Sequence, residues 1–454
     1  MVDSCSEYEI VIEPAPKLWR GLVSSGAADA GRFVEAARLF RSQIGFEDDG
    51  PVIMSGHQAG FWHPGIVAKY AAVQGAEVFG TSVWLVADLD ANGPTQMRVP
   101  RRGVDGVVRP ELVELASDGA GHPDAPTGLR APVGVADDVP VEFDRVGEAL
   151  SRLRGGSSSL GEQVHGAAAA LLEEVGAGQP VEVVYASAIC RTDLFAEILE
   201  QMLRDPARCV DAYNAAVAAC PDAGVRKLLV DADRGRWELP VWGIGFNEPR
   251  KPVIVGKGQA LDASAHGPRG LLMTGLMRLA GCELFIHGTG GGVYDTITER
   301  WLGDWLGVTL APSAVVSATM RLDLGFGSMT PEDAQALIAL GHRARHDPGL
   351  LGDGDAANAK RRLVDEIAAL ECGDPARHAL YRQMHTLLEK ARESNGEQLA
   401  SIDARVEVAR SVLRSREAVT DRTWSFVLHE DAAIERLCSC VRSSFAGDAT
   451  RNRG

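Results

Sequence analysis

PVIMSGHQAGFWHPG, residues Pro51 to Gly65, reads as a buried strand that turns sharply into a helix. Pro51 to Ser55 is a short apolar run rich in strand formers and ends in Ser-Gly. Pro64 suits the first position of a helix, where a missing N–H costs nothing, and the helical pattern runs to about Gln74. The next strand is Ser82 to Asp90 (SVWLVADLD), apolar until two aspartates at its end. Strand, helix and strand at this spacing predict a βαβ unit. The near-continuous apolar strands suit a parallel sheet covered on both faces, so the fold class is α/β.

Outward from this unit, Met1 to Gly50 reads as a lead-in with a helix near Ala27 to Gln43. Beyond Asp90 the pattern loosens, with one helix near Asp144 to Arg154. Then come a helix over Leu160 to Val175, a strand over Val181 to Ile189, and helices near Leu194 to Arg204 and Pro206 to Ala219. Trp237 to Gly245 and Val253 to Gly256 predict a hairpin around Asn247 to Arg250. Leu271 to Leu279 is helical and Glu283 to His287 is a short strand. After the turn His287 to Gly292 comes an amphipathic helix whose Val293, Ile297, Trp301 and Trp305 recur every four residues on one face. From about Pro331 the chain is almost all helical pattern. Leu399, Ile402, Val406, Ala409 and Leu413 follow coiled-coil spacing, which an antiparallel helical hairpin or a dimer arm explains.

The 454 residues exceed one ordinary core, so two or three domains are expected. Hydrophobic residues at 45% and charged residues at 24% place the chain among globular proteins, with fraying expected at the tail Ala446 to Gly454. A net charge of −16 repels phosphate backbones and disfavours nucleic acid as a partner. No apolar run approaches the ~20 residues that span a bilayer. Asp3, Glu7 and Glu13 stand where a signal peptide needs basic residues, so no membrane role and a cytoplasmic location are expected. The 8 cysteines form no CxxC pair, and Cys438 and Cys440 are poorly spaced for zinc.

Within the opening segment, three glycines let the backbone turn and approach a ligand. The helix that follows offers unpaired N–H groups and a positive dipole end to an anion. His57 and His63 flank that position. Lys69 lies in the early turns, where it opposes the dipole, and this favours a ligand-related role. Ser55, Gly56, Gln58 and Gly65 complete the candidate loop. The alternative is a glycine-rich turn with one capping and one core histidine.

Ligands of parallel sheets bind beyond the carboxyl ends of the strands, which puts Asp88, Asp90 and Asn92 beside the His57 loop. They could hold an ammonium group, a ribose hydroxyl or a magnesium ion, or simply cap the strand and begin a turn. A third candidate is His287-Gly288-Thr289-Gly290-Gly291-Gly292-Val293-Tyr294-Asp295, again a strand whose glycines open a helix. It lacks the full dinucleotide fingerprint. Asp295, read as lying in the first helical turn, suits a ribose hydroxyl or an amine, and Arg278 upstream could meet a carboxylate or phosphate. His342 and His346 are spaced as a metal pair but have no third ligand nearby, so no metal ligands are assigned. A Walker A pattern is absent.

Taken together, the strand, the GHQAGFWHPG loop, the helix and the strand ending in aspartates resemble the nucleotide-binding core of the class I synthetase and nucleotidyltransferase superfamily. His57 and His63 are spaced more widely than its paired histidines. A closer likeness is the bacillithiol-biosynthesis cysteine-adding ligase family. Gly56, His57, Gln58, Ala59 and Gly60 follow its GQQAG loop with His57 in place of the first glutamine. Asp88 and Asp90, His287 to Tyr294, Gly307, Pro312 and the segment Asp421 to Phe426 resemble its later motifs. The resemblance covers about half the chain.

It implies a Rossmann-like core of the HUP, nucleotidyltransferase-like kind, in two halves, residues 1–100 and 266–330. An inserted connecting region would occupy 101–265, a coiled-coil helical domain 331–445 and a disordered tail 446–454. It further implies an ATP-dependent ligase, with or without magnesium, that joins an amino-acid carboxyl to the amine of a small sugar conjugate. A homodimer would form through the C-terminal helices. His57, His63 and Lys69 would be catalytic. Ser55, Gly56, Gln58, Gly65, Asp88, Asp90, Asn92, Arg278, His287, Gly288, Gly290, Gly291, Tyr294 and Asp295 would bind nucleotide or substrate. An adenylyltransferase acting on another acid and a non-catalytic scaffold of the same fold are the alternatives.

Overall fold

A computed structural model describes residues 8–25, 28–48, 50–116, 121–178 and 182–446. Six strands form one sheet: β1 (Tyr8–Glu13), β2 (Val52–His57), β3 (Thr81–Val86), β4 (Glu182–Tyr185), β5 (Leu284–His287) and β6 (Ser313–Met320). Their order is β1-β6-β5-β2-β3-β4. All neighbours are parallel except β1, which runs antiparallel to β6 at the edge. The chain is therefore mixed α/β with a mostly parallel sheet. β3 and β4 extend it on one side of β2, while β5 and β6 extend it on the other. The winding direction thus reverses between β2 and β5, where a crevice opens beyond the carboxyl ends of the strands.

Helix α1 (Pro64–Gly75) follows β2 and is buried along almost its whole length. Its buried residues, Ile66, Val67, Ala68, Tyr70, Ala71 and Ala72 among them, run right round it, so it must be covered on every side. β6 covers one face, and the last helix, α6 in chain order (Asp431–Ala446), another. Two glycines make room. A Cβ on Gly65 would lie 2.9 Å from the Ala318 carbonyl oxygen, and one on Gly75 would lie 2.6 Å from the Phe445 ring.

Several elements depart from the sequence expectations. β1 lies within the stretch read as a lead-in, because its partner β6 is some three hundred residues away and no local turn announces the pairing. β3 ends at Val86, which leaves Asp88 and Asp90 in the turn beyond it. The strand expected over Val181 to Ile189 is β4 alone, its expected first residue lying outside the described residues. A 3-10 segment over Ala186–Arg191 replaces its second half. The Asp88 carboxylate causes this by accepting both the backbone N–H and the hydroxyl of Ser187.

The hairpin turns at Phe246 and Asn247 rather than over 247–250, with Asn247 at a φ of 60°, a conformation asparagine tolerates. The helical stretch from Gly270 changes to a π turn over Met277–Gly281, which carries Arg278. Helix α2 (Leu160–Glu174) forms as expected. In α3 (Thr289–Leu306), Ile297, Trp301 and Trp305 are buried, whereas Val293 stays half exposed.

Two compact units are present. The first contains the described residues up to Arg98, Leu112–Met320 and those from Arg422 onward. The second contains Val99–Glu111 and Arg321–Asp421. The boundary expected at 330/331 falls at 320/321, and α6 belongs to the sheet-bearing unit. In the second unit, α4 (Pro331–Ala344) and α5 (Gly396–Arg414) pack together. Val406, Ala409 and Val412 bury themselves against Ala334 and Leu337, with Ile402 and Leu413 partly covered. The heptad-like stripe is thus occupied by a helix of the same chain. The frayed tail expected after Ala446 lies outside the described residues, and Ala446 itself ends α6. Among the described residues no helix is long and apolar enough to cross a membrane.

Candidate functional site

A cavity of about 410 Å³ lies at the carboxyl ends of β2 and β5, where α1 and α3 both begin. Its size suits a small molecule. Gly56, His57, Gln58, His63, Lys69, Asp90, His287, Gly288, Gly290, Gly291 and Tyr294 line it, all within the first unit. The other expected site residues, Ser55, Gly65, Asp88, Asn92, Arg278 and Asp295, do not reach it.

His63 caps α1: its Nδ1 accepts the Gly65 N–H at 3.1 Å. Lys69 is 4% exposed, and its ammonium donates to the Gly56 carbonyl at 2.6 Å and lies 5.7 Å from the Trp84 ring centre. Among the described residues no carboxylate pairs with it. Burial therefore pulls its pKa down from 10.5 to about 7. His57 Nδ1 is buried without a hydrogen-bond partner. Burial, then the nearby charge of Lys69 and His63, pushes the His57 pKa down to about 3. His57 can thus offer a ligand only a neutral imidazole.

The aspartates are committed elsewhere. Both oxygens of Asp88 are taken by Ser187, and burial raises its carboxyl to about 6. Asp90 borders the cavity, but Gln58 donates to one of its oxygens at 2.8 Å and Arg250 to the other at 3.0 Å. Its charge is already matched, so neither carboxylate is free for an ammonium group or a magnesium ion. Asn92 ties back the loop through the Ala59 carbonyl, and the Ser55 hydroxyl bridges to Ile286 across the sheet. Gly65 serves packing. Among the described residues no group of three or more His, Cys, Asp or Glu could hold a metal ion.

The glycine loop leaves the N-terminus of α3 without a side-chain cap and without an acidic residue in its first turn. Its leading N–H groups remain available to an anion. Asp295 sits one turn deeper than expected. There it is 4% exposed, with one oxygen 2.6 Å from the Arg278 guanidinium and 2.8 Å from His287 Nε2. These contacts are short but not aligned as hydrogen bonds. Burial works to raise the Asp295 carboxyl, yet His287 and Arg278 together hold it below its usual range. Arg278 itself is buried and further held by the Ala311 carbonyl and Glu299. It supports the site from behind and is not a ligand group.

Thr289, Ser317 and Arg422 also line the cavity and were not assigned from sequence. The Arg422 guanidinium lies 3.3 Å from the Thr319 hydroxyl and 3.4 Å from that of Thr289. Among the described residues it has no carboxylate partner. Its signal was faint: one arginine in the segment Asp421 to Phe426, far along the chain from either loop. With Asp90 neutralised, Lys69, Arg422 and the open end of α3 make the cavity a place for an anion.

A larger open groove of about 870 Å³ lies at the amino ends of β2 and β5. Its best cation, Arg41, is spent on the Asp48 and Gly50 carbonyls and on Glu283. Comparison of the chain with protein-family models gives no match, and comparison with curated proteins gives none.

Proposed function

We propose that the chain is an ATP-dependent ligase that joins an amino-acid carboxyl, of the cysteine type, to the amine of a small sugar conjugate. It would do so on a Rossmann-like core similar to that of the cysteine-adding ligase family. One observation carries the reading: at the sheet's reversal point, an uncapped helix N-terminus, a buried lysine without a counter-ion and three histidines face one cavity. Such a site stabilises negative charge that grows during phosphoryl chemistry.

The carboxylate oxygen attacks the α-phosphorus of ATP, the bond to pyrophosphate breaks, and an acyl-adenylate forms. Lys69, Arg422 and the N–H groups of Thr289 to Gly291 meet the phosphate charge. His57, as a neutral imidazole, and His63 hydrogen-bond to it. The acceptor amine then replaces AMP. With Asp88 and Asp90 engaged, any magnesium required travels with the nucleotide phosphates. A homodimer, as the resemblance implies, would use a face other than the Val406 to Val412 stripe.

The test combines thermal shift with pyrophosphate exchange. ATP should raise the melting temperature, since a ligand of the native state stabilises it. An amino acid should drive exchange of pyrophosphate into ATP. Lys69→Met should abolish the ATP-induced shift without lowering the melting temperature of the free protein, because it removes a charge buried at a cost. Exchange driven only by a non-amino acid favours an adenylyltransferase. Absence of both shift and exchange leaves the scaffold reading.

A further inference from the structure

His287 has an arrangement that phosphate binding does not require. It closes β5 at the cavity wall, its ring packed 4.7 Å from that of Phe285. Its Nε2 lies 2.8 Å from the buried Asp295 carboxylate. Asp295 is itself held by Arg278, and Arg278 by Glu299, which is half exposed. This row of alternating charge runs inward from the surface and ends at an imidazole. The other nitrogen, Nδ1, borders the glycine loop: a Cβ on Gly291 would come within 2.8 Å of it. Only glycine there allows the ring its place on the cavity wall.

By charge alone, a carboxylate 2.8 Å from Nε2 favours the proton on that nitrogen and leaves the Nδ1 lone pair free, the tautomer a general base needs. The other charged groups near the ring are cationic: Lys69, whose chain passes the Gly288 side, and Arg422, which reaches Thr289. Tyr294 folds back over Gly290. Asp295 is therefore the anion that stabilises the imidazolium formed when Nδ1 takes a proton.

We infer that His287 is the base that takes the proton from the acceptor amine as it attacks, with Asp295 as its positioning residue. This rests on the ligase reading above. The amine enters unprotonated, its nitrogen lone pair forms the C–N bond to the acyl carbon, and one N–H proton passes to Nδ1. The C–O bond to AMP breaks and AMP leaves with that electron pair. His287 then returns its proton to water.

Hydroxylamine separates this role from binding, because it is unprotonated at neutral pH and its adduct loses a proton to water without help. With ATP and L-cysteine, the test in His287→Gln is the ratio between acceptors, read against whatever loss the variant shows in pyrophosphate exchange and hydroxamate formation. Amide formation with glucosamine should fall by about 10²–10⁴-fold more than hydroxamate formation does, the usual worth of a general base. Asp295→Asn should lower kcat for glucosamine with little change in KM.

Undiminished transfer in His287→Gln overturns the inference. So does a parallel loss of both acceptors, which marks a structural role. A wild-type protein silent in exchange with every amino acid overturns the ligase reading, and the inference falls with it.

Discussion

Burial keeps three histidines, His57, His165 and His429, neutral far below their ordinary range, with pKa values of about 3, 4 and 4. Unfolded, each would bind a proton near pH 6.5. Below that pH the unfolded chain takes up protons that the folded chain refuses, so stability falls as the solution is acidified. Lys69 acts in the alkaline range: its pKa of about 7 lies below 10.5, so its buried charge costs less as pH rises through that window. His165 offers the clean test, since it packs beside Trp62 and lies outside the cavity wall. His165→Phe should remove about 2 kcal/mol of the stability lost between pH 6.5 and 5, at ~1.4 kcal/mol per pKa unit. Urea unfolding at both pH values measures this, and an unchanged pH dependence would count against a neutral buried ring. At this scale the sequence reveals residue type and strand end but not direction. Asp88 looked like a ligand, and only the distant Ser187 decides that it faces away.

At the scale of elements, what was legible had a local cause. Pro64 and the apolar run after it announce α1, and the four-residue repeat announces α3. β1 and the short β4 were not legible, because one is fixed by a remote partner and the other is cut short by a side chain from elsewhere. Glycines show the same division. Gly60 and Gly65 sit five residues apart, one in the loop and one in the first turn of α1, yet a Cβ on Gly60 meets nothing within 4 Å. On Gly65 it meets His63 Cε1 at 2.8 Å as well as Ser317 and Ala318 of β6. Gly65→Ala should therefore cost about 1–3 kcal/mol by forcing α1 away from β6. Gly60→Ala should be near neutral. Guanidine unfolding midpoints compare them, and equal effects would mean that α1 is not held against the sheet as described.

For the molecule as a whole, the α/β class and the clustering of the two glycine loops were readable from sequence, since parallel strands bring their carboxyl ends together. The path of the chain was not. It leaves the sheet-bearing unit after Met320 and returns at Arg422, so the final helix joins α1 rather than the helices before it in sequence. Phe445 anchors that return, fully buried with its ring 4.9 Å from Trp19. Phe445→Ala should cost about 3–5 kcal/mol, the usual penalty for emptying a buried aromatic site. It should also weaken ATP-induced stabilisation, because Arg422 and α6 share one returning segment. Calorimetry with and without nucleotide reads both, and a full nucleotide shift in the variant would separate the anchor from the cavity. The return also sets a schedule for synthesis on the ribosome. Both glycine loops emerge and can meet long before Arg422 does, and α1 must wait with one flank uncovered until Asp431–Ala446 arrives. A nascent chain halted within the second unit would hold a sheet but an unfinished cavity, so anion binding can begin only once the segment from Arg422 through Asp431–Ala446 has emerged.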